Sequence, residues 1–274
     1  MSQASSISAL LDRSWATSRS LLCVGLDPEP ARFPQHLVGD ADAVFKFCRD
    51  IVDATHDVVC AFKPQIAYFA AVGAEEALER VIEHIRSVAP GVPVILDAKR
   101  GDIGPTAVQY AREAFQRYGA DAVTVNPYLG YDTIEPFVEA GSVFVLCRTS
   151  NPGSGDLQSL EVGGEPLYRR VARELVERFG ASGRLGLVVG ATYPAELGEV
   201  RSVVGSVPLL VPGIGAQGGD IEALVPALTA AGGAVVNSSR AVLYASNGPD
   251  FAEASRRVAI ETRDALDRVW SRRS

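Results

Sequence analysis

The chain uses lysine sparingly, and this points to positions where proton transfer could occur. Of 26 lysine and arginine residues, only Lys46, Lys63 and Lys99 are lysine. Arginine stays protonated in proteins, whereas a lysine ammonium can donate a proton and regain it. Lys63 and Lys99 each follow a short apolar run, AFK and ILDAK. We therefore interpret these two lysines as candidate catalytic groups.

Two aspartates flank Lys99 in the segment DAKRGD. Asp97 and Lys99 are two positions apart, so on a regular strand their side chains would project from the same face. Asp102 follows just past the predicted strand. A solvated salt bridge is the alternative interpretation of such a pair. The buried run PVIL before it, and the equivalent strand-end positions of Lys63 and Asp27, favour a functional cluster.

Eight Val/Ile/Leu-rich runs recur along the chain, with helical patterns such as 72–91 and 105–120 between them. Continuous apolar runs are typical of parallel strands covered on both faces. The alternation predicts a single (β/α)8 TIM barrel domain over residues 1–274, with a doubly wound open sheet as the alternative. The longest irregular stretch, 150–165, is predicted to be a mobile loop over the site. The predicted strands are Leu21–Leu26, Val58–Lys63, Pro93–Ala98, Asp121–Asn126, Val143–Arg148, Leu185–Gly190, Val207–Pro212 and Gly233–Asn237.

The segments after the last two predicted strands, PGIGAQGGD and NSSR, indicate an anion site. In this fold, glycine-rich turns at that place commonly hold phosphate, because glycine leaves backbone N–H groups accessible. Arg240 can add a bidentate contact, and Gln217 can bridge phosphate and base. The candidate binding residues here are Pro212, Gly213, Gly215, Gln217, Gly218, Ser239 and Arg240.

Composition narrows the class of protein. The net charge of −7 and pI near 5.1 argue against a nucleic-acid partner, and no apolar run is long enough for a membrane span. The first fifteen residues lack the pattern of a signal peptide. Cys23, Cys60 and Cys147 lie in apolar runs without metal-ligand spacing, which predicts buried, reduced thiols and a cytoplasmic location.

These motifs resemble the orotidine 5'-phosphate decarboxylase family, in particular its longer bacterial type. The signature D-x-K-x-x-D-I-x-x-T is present as DAKRGDIGPT, and KPQIAYF, TSNPG and PGIGAQGGD match as well. The resemblance covers the chain from about Leu21 to Tyr244. One departure is Ala70, where the longer type usually has an acidic residue; it lies outside the charged motif.

The resemblance implies decarboxylation of orotidine 5'-phosphate to UMP, the last step of de novo pyrimidine synthesis. It implies neither a cofactor nor a metal. Lys99 would protonate ring carbon six within a charged network that also contains Lys63, Asp97 and Asp102.

The resemblance also implies a homodimer with shared active sites. Asp102, Ile103 and Thr106 would enter the site of the neighbouring subunit. The implied substrate contacts are Asp27 and Lys63 for the ribose hydroxyls, Ser150 for the pyrimidine edge, and Gln217 and Arg240 for the phosphate.

Three alternatives remain open at this point. A metal-dependent sugar-phosphate decarboxylase or aldolase of the same superfamily, such as a keto-gulonate phosphate decarboxylase or hexulose phosphate synthase, would carry a carboxylate where Lys63 stands. A phosphosugar isomerase would favour a Glu or His base at a strand end, whereas the three histidines fall in predicted helices or loops. A catalytically silent protein that binds a phosphorylated ligand is the third.

Overall fold

Parallel strands make up one large sheet in the computed structural model, which describes residues 6–213, 221–222, 224, 228 and 233–271. The strands, numbered in chain order, are β1 (Leu22–Leu26), β2 (Ala61–Pro64), β3 (Ile95–Arg100), β4 (Ala122–Val125), β5 (Ser142–Arg148), β6 (Glu161–Val162), β7 (Glu165–Pro166), β8 (Leu185–Val189), β9 (Leu209–Pro212) and β10 (Ala234–Ser238). β6 and β7 form a separate antiparallel hairpin. The other eight pair in the order β2, β1, β10, β9, β8, β5, β4, β3.

The two ends of this order meet. Phe62 of β2 forms a parallel bridge with Val94, and Gln65 forms another with Asp97. The N–H of Phe62 also donates to the carbonyl of Pro93 at 3.1 Å. The sheet therefore closes between β2 and β3 into a nearly complete barrel. The predicted (β/α)8 barrel is confirmed, and the open doubly wound sheet is wrong.

The observed strands overlap all eight predicted runs. The largest shift is in the second run, where β2 begins at Ala61 because Val58 still belongs to the turn after Thr55. Every residue of β1, β4, β8 and β10 is buried. This burial on both faces explains why these strands read as continuous apolar runs.

Helices cover the outside of the barrel. The predicted helix over 72–91 is observed with acidic residues in its first turn, and the one over 105–120 continues into a π-helical turn at Glu113–Arg117. The helices are α1 (Ile7–Ser18), α2 (Ala43–Thr55), α3 (Ile66–Ala70), α4 (Glu75–Val88), α5 (Gly104–Arg112), α6 (Glu135–Ala140), α7 (Gly155–Gln158), α8 (Leu167–Phe179), α9 (Pro194–Val204), α10 (Arg240–Leu243) and α11 (Phe251–Ser271).

The stretch 150–165 is not irregular, so that part of the prediction was wrong, whereas its mobility over the site stays a prediction. It contains a short 3-10 helix at Pro152–Ser154, then α7, then the β6–β7 hairpin. Gly163 and Gly164 both have positive φ, 68° and 87°, which is the backbone of a tight two-residue hairpin turn. The Gly-Gly pair was the sequence signal for this hairpin.

Two predictions from composition can be compared with the structure. All four cysteines are buried and free, as expected for Cys23, Cys60 and Cys147. Among the described helices, none has the length and apolar character needed to cross a bilayer.

Candidate active site

Asp97 lies at the centre of a charged cluster at the carboxyl end of the barrel strands. Its Oδ2 accepts a hydrogen bond from Lys63 Nζ at 2.9 Å, and its Oδ1 accepts one from Lys99 Nζ at 2.7 Å. Oδ1 also accepts from the hydroxyl of Thr124 at 2.9 Å. Three neighbouring strands, β2, β3 and β4, therefore converge on one carboxylate.

Thr124 also fixes the backbone that carries Lys99. Its Oγ1 accepts from the N–H groups of Ala98 at 3.0 Å and Lys99 at 2.9 Å. At this point the pairing of β3 with β4 shifts register, and Lys99 adopts a φ of +45°. Non-glycine residues rarely occupy this left-handed region, and strained residues of this kind cluster at functional sites. The lysine is thus held in a costly conformation by its surroundings.

The three charged groups differ in exposure. The side chains of Lys63 and Asp97 are 5% and 11% exposed, whereas that of Lys99 is 48% exposed. Lys63 is therefore sealed within the barrel, while Lys99 lies where a ligand at the mouth can reach it.

Burial and ion pairing act in opposite directions on the buried pair. Burial disfavours the charged form of Asp97, but Lys63 and Lys99 outweigh it and hold the pKa of this carboxyl well below its usual value. Burial likewise lowers the pKa of Lys63, yet Asp97 and Asp27 together raise it above its ordinary value. Asp97 and Lys63 are consequently both ionised at neutral pH.

Asp27 follows β1 and interacts electrostatically with Lys63. Its Oδ1 is buried and has no hydrogen-bond partner in the described part of the chain. Buried carboxylate oxygens are normally hydrogen-bonded, so an orphaned one points to a donor supplied by a ligand or water. The sequence placed Asp27 at this rim, and the structure does so as well.

The end of β10 lies beside β1 and leaves polar atoms near the mouth. The Nδ2 of Asn237 donates to Ser239 Oγ at 3.0 Å, while Asn237 Oδ1 is buried without a partner among the described residues. Gly25 provides the space for these groups: a Cβ there would lie 1.9 Å from Ser239 Oγ. Arg240, the next residue, is exposed at the start of α10.

Only part of the predicted phosphate site can be located. Pro212 ends β9, and Gly213 follows it with a φ of +95°, a conformation that favours glycine. The predicted residues Gly215, Gln217 and Gly218 lie outside the described residues.

Asp102, Ile103 and Thr106 do not join the cluster within the chain. The carboxylate of Asp102 accepts from the N–H of Ile103 at 2.8 Å and forms no ion pair with any described residue. Ile103 is 61% exposed, and Thr106 is exposed in the first turn of α5. The structure thus gathers three of the four network residues and leaves the fourth on the surface.

Ser150, the predicted contact to the pyrimidine edge, is exposed after β5 and packs against Gly190, where a Cβ would come within 2.9 Å of Ser150 Cβ. The segment is held by Arg148, which is buried. Its Nε donates to Glu196 Oε2 at 2.5 Å, and a second nitrogen donates to Ser154.

Sequence reasoning missed the supporting residues of this site. Thr124 is the one polar residue in β4, AVTV, and that was the available signal. Asn237 stood in the NSSR motif but was given no role of its own there. The hydroxyl of Tyr244, which contacts the backbone of Asp27, gave no local signal because 217 positions separate the two residues.

The fold and the cluster together define a class: a (β/α)8 barrel with a lysine–aspartate–lysine arrangement at its carboxyl rim. A family model described as the orotidine 5'-phosphate decarboxylase / HUMPS family matches residues 20–255. The chain belongs to this family.

Similar proteins bear the same name. The chain is 63% identical to the orotidine 5'-phosphate decarboxylase of Azoarcus sp. (strain BH72) over 94% of this chain and 97% of that one. It is 61% identical to that of Dechloromonas aromatica (strain RCB), with the same coverage. Among solved structures, Leishmania donovani OMP decarboxylase is similar with a TM-score of 0.83 and 38% identity, over 97% of this chain and 99% of the other.

Proposed function

We propose that the chain decarboxylates orotidine 5'-phosphate to UMP and carbon dioxide. The observation that carries this proposal is the Asp97 carboxylate, bonded at once to the buried Lys63 and to the accessible Lys99. Family membership and the names of the similar proteins support the same reaction.

The proposed reaction breaks the bond between ring carbon six and the carboxylate. The electron pair stays on carbon six, carbon dioxide leaves, and Lys99 Nζ delivers its proton to that carbon. An ammonium about 4 Å from a forming anion contributes roughly 4 kcal/mol at an effective dielectric near 20, and more where water is excluded. Because the lysine supplies this stabilisation, the proposed reaction uses neither a cofactor nor a metal.

The remaining predicted residues receive roles in binding. Asp27, with its orphaned oxygen, would accept hydrogen bonds from the ribose hydroxyls beside Lys63. Ser150 would contact the pyrimidine edge. The phosphate would lie against the backbone at Pro212 and Gly213, the hydroxyl of Ser239 and the guanidinium of Arg240, together with Gly215, Gln217 and Gly218.

The proposed enzyme is a homodimer with shared sites. Asp102 lacks a cationic partner among the described residues, and Ile103 and Thr106 are exposed beside it. A second copy that presents Asp102 to Lys99 would complete the four-residue network. The four buried thiols are consistent with the proposed cytoplasmic location.

The proposal is tested by following the loss of orotidine 5'-phosphate by ultraviolet absorbance. We expect turnover by the wild-type chain, unchanged by EDTA, and a loss of about 10²–10⁴-fold on Lys99→Ala, the usual contribution of a general acid. Lys46→Ala is the matched control, because Lys46 pairs with Asp40 and lies outside the proposed site. Absence of wild-type turnover, or full activity of Lys99→Ala, would contradict the proposal. Inhibition by EDTA would instead favour a metal-dependent relative.

A further inference from the structure

Tyr244 links two parts of the site that are far apart in sequence. It directly follows α10, the helix that begins with Arg240, and its N–H donates to the carbonyl of Arg240 at 3.2 Å. Its hydroxyl reaches the turn after β1, where it donates to the carbonyl of Asp27 at 2.9 Å. The same oxygen accepts from the N–H of Glu29 at 2.6 Å. One hydroxyl therefore fixes the main chain on both sides of Pro28.

The ring that carries this hydroxyl is itself packed against a guanidinium and an aromatic ring. The guanidinium of Arg32 lies 3.7 Å from the centre of the Tyr244 ring. Phe47 stacks at 5.8 Å with an interplanar angle of 18°, and Phe33 stacks on Phe47 at 4.3 Å. A ring packed in this way has few alternative rotamers, so the hydroxyl is held in place.

The backbone gripped by Tyr244 sets the position of the Asp27 carboxylate. That side chain is short and has only two torsions, so a shift of its main chain moves its oxygens by a similar distance. Oδ1 of Asp27 is the buried acceptor left without a partner among the described residues. Its hydrogen bond to a ligand depends on placement within a few tenths of an ångström.

We infer that Tyr244 is a positioning residue that couples the phosphate end of the site, through α10, to the ribose-binding carboxylate of Asp27. The inference rests on the proposed function, since it takes Asp27 as the acceptor for a ribose hydroxyl. Tyr244 itself touches neither the reacting carbon nor Lys99. Its effect should therefore depend on the sugar of the substrate.

The experiment compares orotidine 5'-phosphate with its 2'-deoxy and 3'-deoxy analogues. Asp27→Asn is first assayed on all three substrates to find which hydroxyl Asp27 binds. The loss of activity caused by this variant should be smallest on the analogue that lacks that hydroxyl. On the full substrate, Tyr244→Phe is expected to lower kcat/KM about tenfold, because two hydrogen bonds that hold the Asp27 turn are lost. On the analogue that lacks the identified hydroxyl, Tyr244→Phe should cost about twofold or less, because the contact it supports is already absent.

Tyr168→Phe is the matched control. Its hydroxyl also donates a short hydrogen bond, to Glu199 Oε2 at 2.6 Å, but between helices α8 and α9. We expect this variant to affect the full substrate and the analogue equally. Circular dichroism and thermal unfolding check that each variant folds. We expect Tyr244→Phe to fold, because it keeps the aromatic ring. Arg32→Ala provides a second variant, because it removes the guanidinium packed on the Tyr244 ring and should give a smaller, equally sugar-dependent loss.

The outcomes separate the two hypotheses. Equal losses for Tyr244→Phe on the full substrate and on the analogue, or no loss on either, would overturn the inference while leaving the proposed function in place. Failure of the wild-type chain to turn over orotidine 5'-phosphate would refute the proposed function, and this inference with it.

Discussion

Replacing Asp97 by asparagine tests whether the buried ion pair is as strongly coupled as its geometry indicates. The change keeps the size of the side chain and removes its charge, so Lys63 keeps its burial and loses the anion 2.9 Å away. The attraction at that distance is about 6 kcal/mol at an effective dielectric near 20. Removing one partner of a buried pair typically destabilises a protein by about 3–5 kcal/mol, because the other charge is left uncompensated.

Deprotonation of Lys63 limits this cost and makes it depend on pH. Once the carboxylate is gone, burial, the largest single influence on Lys63, outweighs the remaining attraction of Asp27 and should lower the pKa of Lys63 below its unfolded value of about 10.4. The unfolded state then binds more protons than the folded state, so the stability of the variant rises with pH up to that value. Releasing the proton costs at most about 5 kcal/mol at pH 7 and about 2 kcal/mol at pH 9. In the wild-type chain the pKa of Lys63 is raised, so this group adds no slope between these two pH values.

The assay is urea unfolding of wild type and Asp97→Asn at pH 7 and pH 9. We expect the variant to be less stable by about 3–5 kcal/mol at pH 7 and by clearly less, about 2 kcal/mol, at pH 9. Asp42→Asn is the control: it removes an ion pair with Arg80 whose side chains are 40% and 37% exposed. That loss should be below about 1 kcal/mol and equal at both pH values, because arginine stays charged. A loss for Asp97→Asn that is under about 1 kcal/mol, or the same at both pH values, would refute the reasoning.

Three further predictions concern binding and assembly. Arg240→Ala should depress turnover of the whole substrate yet hardly affect a substrate without phosphate, as measured by steady-state kinetics; comparable losses on both would show that phosphate binding does not assist the reaction. Mixing inactive Lys99→Ala and Asp102→Ala chains should restore one intact site per heterodimer, and the shared site is rejected if activity stays absent after subunit exchange is verified. Gly25→Ala should weaken UMP binding about tenfold in calorimetry, because the new Cβ would lie 1.9 Å from Ser239 Oγ and 2.9 Å from Asn237 Oδ1. Unchanged UMP affinity and thermal stability would mean that the residues between β1 and β10 can shift to accommodate the new Cβ, which would contradict the prediction.

The barrel was predictable because its signals are repeated and local. Eight apolar runs separated by helical patterns fixed the strands to within about three residues, with Val58 the largest error. The 150–165 stretch shows the opposite case. Its Gly163–Gly164 turn was visible in the sequence, but arms of two residues each are too short to give a strand pattern.

The sequence predicted which residues form the charged cluster, but not the interactions that position them. Asp97 and Lys99 do meet, as the spacing indicated, yet the register shift in β3 means that regular alternation along the strand is not what places Lys99. Its position is set by Thr124, on the next strand, and by a positive φ that an apolar pattern does not reveal. Contacts such as Tyr244 with Asp27 depend on closure of the whole barrel, which no local pattern encodes.

The ion pair between Lys63 and Asp97 lies across the junction between β2 and β3, where the described residues form no continuous strand ladder. β2 and β3 are joined there by isolated bridges at Phe62 and Gln65, and the charged pair spans the same gap. The proposed catalytic carboxylate of Asp97 therefore also helps to hold β2 and β3 together where the barrel closes. A substitution of Asp97 that changes catalysis must also weaken the contact between β2 and β3. Such variants should therefore show faster amide hydrogen exchange in β2 and β3 than in the other strands. Ser150 follows β5 and Arg240 follows β10, and neither strand borders this junction in the described part of the chain, so new activity could evolve at these two positions without loosening it.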